Sequence, residues 1–178
     1  MKHTIAALTL AAASAAAQSP GPTPALLHTH TGFDLTVQLP LREAAPLFGP
    51  IGERAWAGKH WNPEFLHPQP AKDVEGAVFT IRHGAMQATW VNTLFDIEAR
   101  HFQYVYFLPD VMVTVIDVRF TQPDTNKTAV HVDYTRTALT PEGNEHVTTM
   151  TEADKRAGTE WQQAIDSYLA ERNRTTPQ

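Results

Sequence analysis

From Phe33 the chain alternates with a period of two. Phe33, Leu35, Val37 and Leu39 are set against Asp34, Thr36 and Gln38. This is the pattern of a strand with one buried face. "PLREAAPLF" follows and suits a short helix, since Pro40 fits its first positions and Pro46 limits its length. "GERAWAG" predicts a second short helical turn, closed by Gly58. From Gly76 onward come five strand-like runs: Ala77 to His83, Met86 to Phe95, Arg100 to Leu108, Val111 to Thr121 and Lys127 to Ala138. Their separators, "HGA", "DIEA", "PD" and "QPDTN", are short, so consecutive strands should be antiparallel neighbours in a meander.

The period then changes. Val147, Met150, Ala157, Trp161, Ala164, Ile165, Tyr168 and Leu169 recur at spacings of three and four, one apolar stripe on a long helix. The C-terminal half of that helix is the more apolar, and "NEHVTTMTEADK" at its start reads as wet on all faces. The expected class is α+β: a curved antiparallel sheet of about six to seven strands wrapped on a long C-terminal helix, with two short helices after strand 1. One helix cannot fill a whole curled sheet, so the order of elements predicts a cavity.

At 178 residues the chain suits one domain. Residues 1–17 are expected to be a secretory signal peptide, with Lys2 as the positive start, an apolar run from Ile5 to Ala17 and small residues at Ala15 to Ala17. Its removal takes away Lys2 and leaves 13 basic against 19 acidic groups. A Pro/Gly/Thr-rich flexible leader at 18–31, the domain at 32–174 and a tail at 175–178 complete the division. The expected location is the bacterial periplasm or the medium. Without cysteine, disulfides, thiol catalysis and cysteine-based zinc sites are excluded. A net charge of -5 with no basic run disfavours nucleic acid, and no later segment is long enough and apolar enough for a membrane span.

Chemistry is most concentrated in "KHWNPEFLHP", Lys59 to Pro68. A helical chelate of His60 and Glu64 is defeated by Asn62-Pro63, because a residue before proline is pushed out of the helical region. "EFLHP" is expected to be a short edge strand, where proline is tolerated. His28 and His30 fall in the expected leader, and His131 is out of phase with Val130 and Val132 and should face solvent. No metal or cofactor is expected. Serine-nucleophile motifs are missing, and the only serines past residue 17 are Ser19 and Ser167. Asp117, Arg119 and Asp133 alternate with the apolar set and read as a solvated convex face with cross-strand charge pairs.

Several positions are in phase with the cavity. Arg136 follows Val130, Val132 and Tyr134, and a lone buried cation is costly. It either anchors an anionic ligand head, pairs with a carboxylate on the helix, or has reached the rim and snorkels into water, the rim being the preferred expectation. Asn92 and Thr114 are smaller candidates for orienting a ligand. Trp56, Trp61, Phe65, Phe79, Trp90, Tyr104 and Tyr134 come from every wall, with Met150 from the helix. Trp56 and Trp61 stand beside a Gly/Pro-bounded loop and suit either core packing or the mouth of the cavity; Trp161 suits core packing.

The segments "LPLREAAPLFGPIGERAW", "WNPEFLHP", "GAVFTIRHG", "ATWVNTLFD" and "YTRTALTPEGNEH", in this order before a final helix, resemble the START-like helix-grip superfamily (SRPBCC: polyketide cyclase/dehydrase and lipid-transport-like proteins). The resemblance spans roughly Gly32 to Asn173 and carries the fold rather than an activity, since the superfamily has no shared catalytic motif. It implies a hydrophobic ligand cavity between sheet and helix; many members bind lipids, sterols or aromatic polyketides, and some act as cyclases or hydrolases. The expectation is an exported protein that binds a small hydrophobic or amphipathic ligand. The alternatives are a cyclase/dehydrase-like enzyme, using Arg136, Tyr104 or Tyr134 with a histidine, and a protein-interaction module using the acidic convex face.

Overall fold

Each run of alternating residues forms a strand, and the seven strands make one antiparallel sheet in the computed structural model, which describes residues 24–175. The signal peptide expected at 1–17, the leader up to residue 23 and the last three residues lie outside the described part. In chain order the strands are β1 (His28–Val37), β2 (Glu64–His67), β3 (Val78–His83), β4 (Met86–Asp96), β5 (His101–Leu108), β6 (Met112–Asp124) and β7 (Lys127–Ala138). Across the sheet they run β1-β7-β6-β5-β4-β3-β2, so β3 to β7 are the expected meander and "EFLH" is an edge strand. Between β1 and β2 lie a short helix, α1 (Leu41–Ala44), and two 3-10 turns, Ala45–Phe48 and Gly52–Ala55. The chain ends in α2 (Gly143–Thr175).

Strand β1 starts five residues before Phe33 and takes in residues assigned to the flexible leader. His28 to Thr31 pair with Thr137 to Tyr134 of β7. Alternation failed to mark this stretch because its inward residues are polar. The Thr29 hydroxyl is 2.9 Å from that of Thr151, and Thr31 donates to Asp154 at 2.6 Å. Their partners are on the first half of α2, which is therefore not wet on all faces: Asp154 is only 8% exposed.

α2 packs chiefly along β1. The close approach falls at Gly158, where a Cβ would stand 3.1 Å from Phe33. Apolar residues of the concave face, among them Val37, Phe102, Val130 and Val132, pack with Ile165 and Leu169 of the C-terminal half of α2. A second, smaller cluster joins Leu108, Met112 and Ala138 to Val147 near the start of α2. Residues of both clusters, Ile116 of the first and Leu108 of the second, border the open space under α2. No helix among the described residues is long and apolar enough to cross a membrane.

Candidate ligand-binding cleft

Strand register builds the site before any side chain is considered. Phe65, Phe79, Trp90, Tyr106, Thr114 and Arg136 face one another in turn across β2 to β7. The first four rings stack with centroids 5.4, 5.8 and 4.7 Å apart, a ladder of offset aromatic pairs. Two residues along each strand, Asn92, Tyr104, Ile116 and Tyr134 form a parallel row. Trp61, from the loop before β2, closes on this wall edge-to-face with Trp90 at 5.4 Å. Its indole N–H donates to the Pro50 carbonyl at 2.8 Å. That bond fixes the loop over the sheet.

Between the rows and α2 lies a cleft of about 420 Å³, walled by Trp90, Tyr106, Ile116, Tyr134, Met150 and Ala157 among others. A smaller, largely enclosed cavity of about 60 Å³ adjoins it, lined by Glu53, Trp61, Phe79, Tyr104, Tyr134 and Trp161 among others. Trp90, Ile116, Tyr134 and Trp161 line both spaces. On the far side, Glu53, Trp61 and Trp161 also face an open groove with Trp56 and His60. The series runs from the helix–sheet cleft, past Trp161, to the short helical turns.

The polar groups divide into spent and free. Arg136 is 2% exposed and grips Asp154 with both terminal nitrogens. Its guanidinium lies 4.4 Å from the centre of the Tyr134 ring. The preferred rim placement is thus overturned: a buried cation needs a buried anion, and Asp154 supplies it. Tyr104 donates to the Phe48 carbonyl at 2.7 Å, and burial pushes its hydroxyl pKa well up. The Tyr134 hydroxyl makes no hydrogen bond among the described residues; burial, then the Glu53 and Asp154 carboxylates, push its pKa up against the lowering effect of Arg136.

Glu53 is the residue sequence reasoning missed. It is 9% exposed and faces the inner cavity, and its carboxyl makes no hydrogen bond or ion pair among the described residues. Burial first, and the Asp73 carboxylate second, hold its carboxyl well above the usual range. A signal was present: Glu53 stands three residues before Trp56, which caps the 3-10 turn, and that spacing puts the two on one side of the turn, so an inward Trp56 brings Glu53 inward with it. Asp154 was also legible, since it stands four residues after Met150 and seven before Trp161, on the apolar stripe.

The other expected site residues fall into three groups. Trp61, Phe79, Trp90, Tyr104, Thr114, Tyr134, Arg136 and Met150 line the cleft or its inner cavity. Trp56 lies in the core, donates to the Leu47 carbonyl at 2.7 Å and lines only the outer groove. Phe65 and Asn92 lie outside both spaces: Phe65 backs Phe79, and the buried Asn92 amide donates to the Val74 carbonyl at 3.2 Å, tying down the approach to β3. Trp161 packs against the core as expected and also lines all three spaces. Its ring stands edge-on to Trp56 and Phe33 at 5.1 and 5.3 Å. On the convex face Asp117 binds His101 and Arg119, and His131 bridges Asp34 and Asp133, the charge pairs expected of a solvated surface.

No protein-family model matches the sequence, and no curated protein is significantly similar to it. Solved structures are similar in fold. Norcoclaurine synthase from Thalictrum flavum superposes with a TM-score of 0.59 at 11% identity, over 82% of this chain and 88% of that one. Zhui aromatase/cyclase from Streptomyces sp. R1128 gives 0.60 at 16% identity, over 84% and 98%. The protein XoxI from Bacillus cereus gives 0.54 at 14%, over 76% and 94%. With its seven-stranded curved sheet and long C-terminal helix, the chain has the START-like helix-grip fold.

Proposed function

We propose that this chain is an exported protein that binds a small hydrophobic or amphipathic molecule between the sheet and α2. The observation that carries the reading is the aromatic cleft of about 420 Å³, within the roughly 300–1,000 Å³ typical of small-molecule sites. Trp90, Tyr106, Ile116 and Met150 offer apolar area there, and each Å² of apolar surface taken from water contributes roughly 25 cal/mol. The cleft borders solvent along α2, where Ala153 and Glu160 are exposed. Two neighbours in fold are named as a synthase and an aromatase/cyclase, which supports a small-molecule occupant.

The test is native mass spectrometry of the purified protein for co-purifying lipophiles, followed by thermal shift with aromatic and aliphatic candidates. Binding is expected to raise Tm and shift tryptophan emission, because three of the four tryptophans line the cavities. No Tm response to any lipophile would sink the reading. Recovery of the ligand unchanged in mass supports carriage; conversion would make the protein a cyclase- or dehydrase-like enzyme. Export rests on Lys2 and the apolar run to Ala17. Secretion of a chain beginning at Gln18 is its expected result.

A further inference from the structure

The inner cavity is not a neutral apolar hole. Trp61, Phe79, Trp90, Tyr104, Tyr134 and Trp161 turn rings toward it, and one carboxyl, that of Glu53, reaches into it without a protein partner. A second carboxyl, Asp73, acts on Glu53 from the neighbouring loop, where it accepts hydrogen bonds from the Ile51 amide at 3.0 and 3.2 Å. The cations nearby lie outside it: Arg136 holds Asp154 with its terminal nitrogens and keeps a buried, unpartnered Nε beside the outer cleft, and the exposed Arg54 donates to the Pro63 carbonyl. The space therefore combines aromatic faces, which attract cations, with a buried acid that has no counter-ion.

We infer that the ligand carries a cationic amine, with its ammonium seated against Glu53 inside the aromatic inner cavity and its apolar body in the cleft under α2. This rests on the binding proposed above and names the chemical class of its ligand. About 60 Å³ admits a group of the size of an aminomethyl head, and the body takes the larger space beyond Trp90, Tyr134 and Trp161. Among the described residues no Lys or Arg lines the inner cavity to meet an anionic head, and a wholly apolar ligand leaves the carboxyl buried and unpaired.

Wherever the free protein holds Glu53 protonated, seating the ammonium requires it to give up that proton. The proton passes to solvent, and the carboxylate and ammonium pair remains. Affinity should then rise with pH until the free protein's Glu53 is itself ionised. The titratable groups around it are Asp73 and Arg54 on its own loops, Tyr104 and Tyr134 on the sheet, and, at the outer groove, His60 and the Glu160 of α2 that pairs with Arg156.

Calorimetric titration with 2-(1-naphthyl)ethylamine and with the alcohol in which hydroxyl replaces the amine tests this. The amine should bind at least about tenfold more tightly at pH 7, releasing protons on binding, as read from buffers of different ionisation enthalpy. In E53Q the preference for amine over alcohol should fall to within about twofold. Because glutamine is the neutral isostere of a protonated glutamate, the variant keeps the fold, and its circular dichroism and Tm confirm that. Tight binding of the alcohol with weak binding of the amine overturns the inference and leaves the broader reading standing. An amine preference unchanged in E53Q also overturns it. Failure of both compounds, and of every other lipophile, overturns both.

Discussion

The Arg136–Asp154 pair fixes the first half of α2 to the sheet, and its energetics are asymmetric. Removing one partner strands a charge in a site 2% exposed, whereas replacing both strands no charge and leaves only the Thr31 hydroxyl without its acceptor. Asp154→Ala should cost about 3–5 kcal/mol, and Arg136→Met combined with Asp154→Leu should cost far less or stabilise. Urea denaturation with an unchanged m-value measures both. Glu53 acts in the opposite sense, as a residue held at some cost to stability. Its folded pKa lies above that of the unfolded chain, so the folded state keeps a proton that the unfolded state loses above about pH 4.3. Stability therefore falls as pH rises from there through the folded value. Glu53→Gln removes that slope, and its Tm advantage over the native protein should grow between pH 4 and pH 8. An advantage that is constant with pH would contradict the buried, protonated carboxyl.

Among the elements, β1 depends most on polar partners. On its outer side Asp34 accepts from or pairs with His131 of β7 at 2.8 Å, and His131 reaches Asp133 at 3.2 Å, which His30 also contacts at 3.2 Å. The hydrogen bond to Asp34 first, then both carboxylates, raise the His131 pKa, against some desolvation. A raised histidine pKa stabilises the fold below the unfolded value of about 6.5, and the gain is lost as pH rises through the folded value. His131→Gln should therefore lower Tm near pH 5.5 and leave it unchanged near pH 8.5. The side chain is 44% exposed and screened, so the effect stays below about 1 kcal/mol and shrinks in high salt. On the inner side of β1, Thr29 and Thr31 meet Thr151 and Asp154. The same strand is thus held from both faces by groups that read as solvent-facing along the chain.

At the scale of the molecule, the decisive feature is that one helix covers a sheet too wide and too curved for it. Apolar packing is complete at the C-terminal half of α2, where Ile165 is fully buried, and open at the N-terminal half. Ala157 sits over that opening. Ala157→Phe should fill the cleft, preserving the circular dichroism spectrum while abolishing Tm shifts by lipophiles that act on the native protein. Unchanged shifts would place the binding elsewhere.

The order of elements, the edge position of "EFLHP", the charged convex face and the existence of a cavity were all legible from Phe33 onward, because each follows from which apolar positions repeat. Trp61, Phe79, Trp90 and Tyr104 were legible as wall residues for the same reason. The inward turn of Glu53 and Asp154 left a trace in their spacing from Trp56, Met150 and Trp161, but what they meet there, and the strand at His28 to Thr31, were decided only by tertiary structure. Local periodicity reports apolar side chains turned away from water, whereas these groups are buried against polar or charged partners distant in sequence, or against a cavity. A threonine facing an aspartate across sheet and helix looks, along the chain, the same as a threonine facing water.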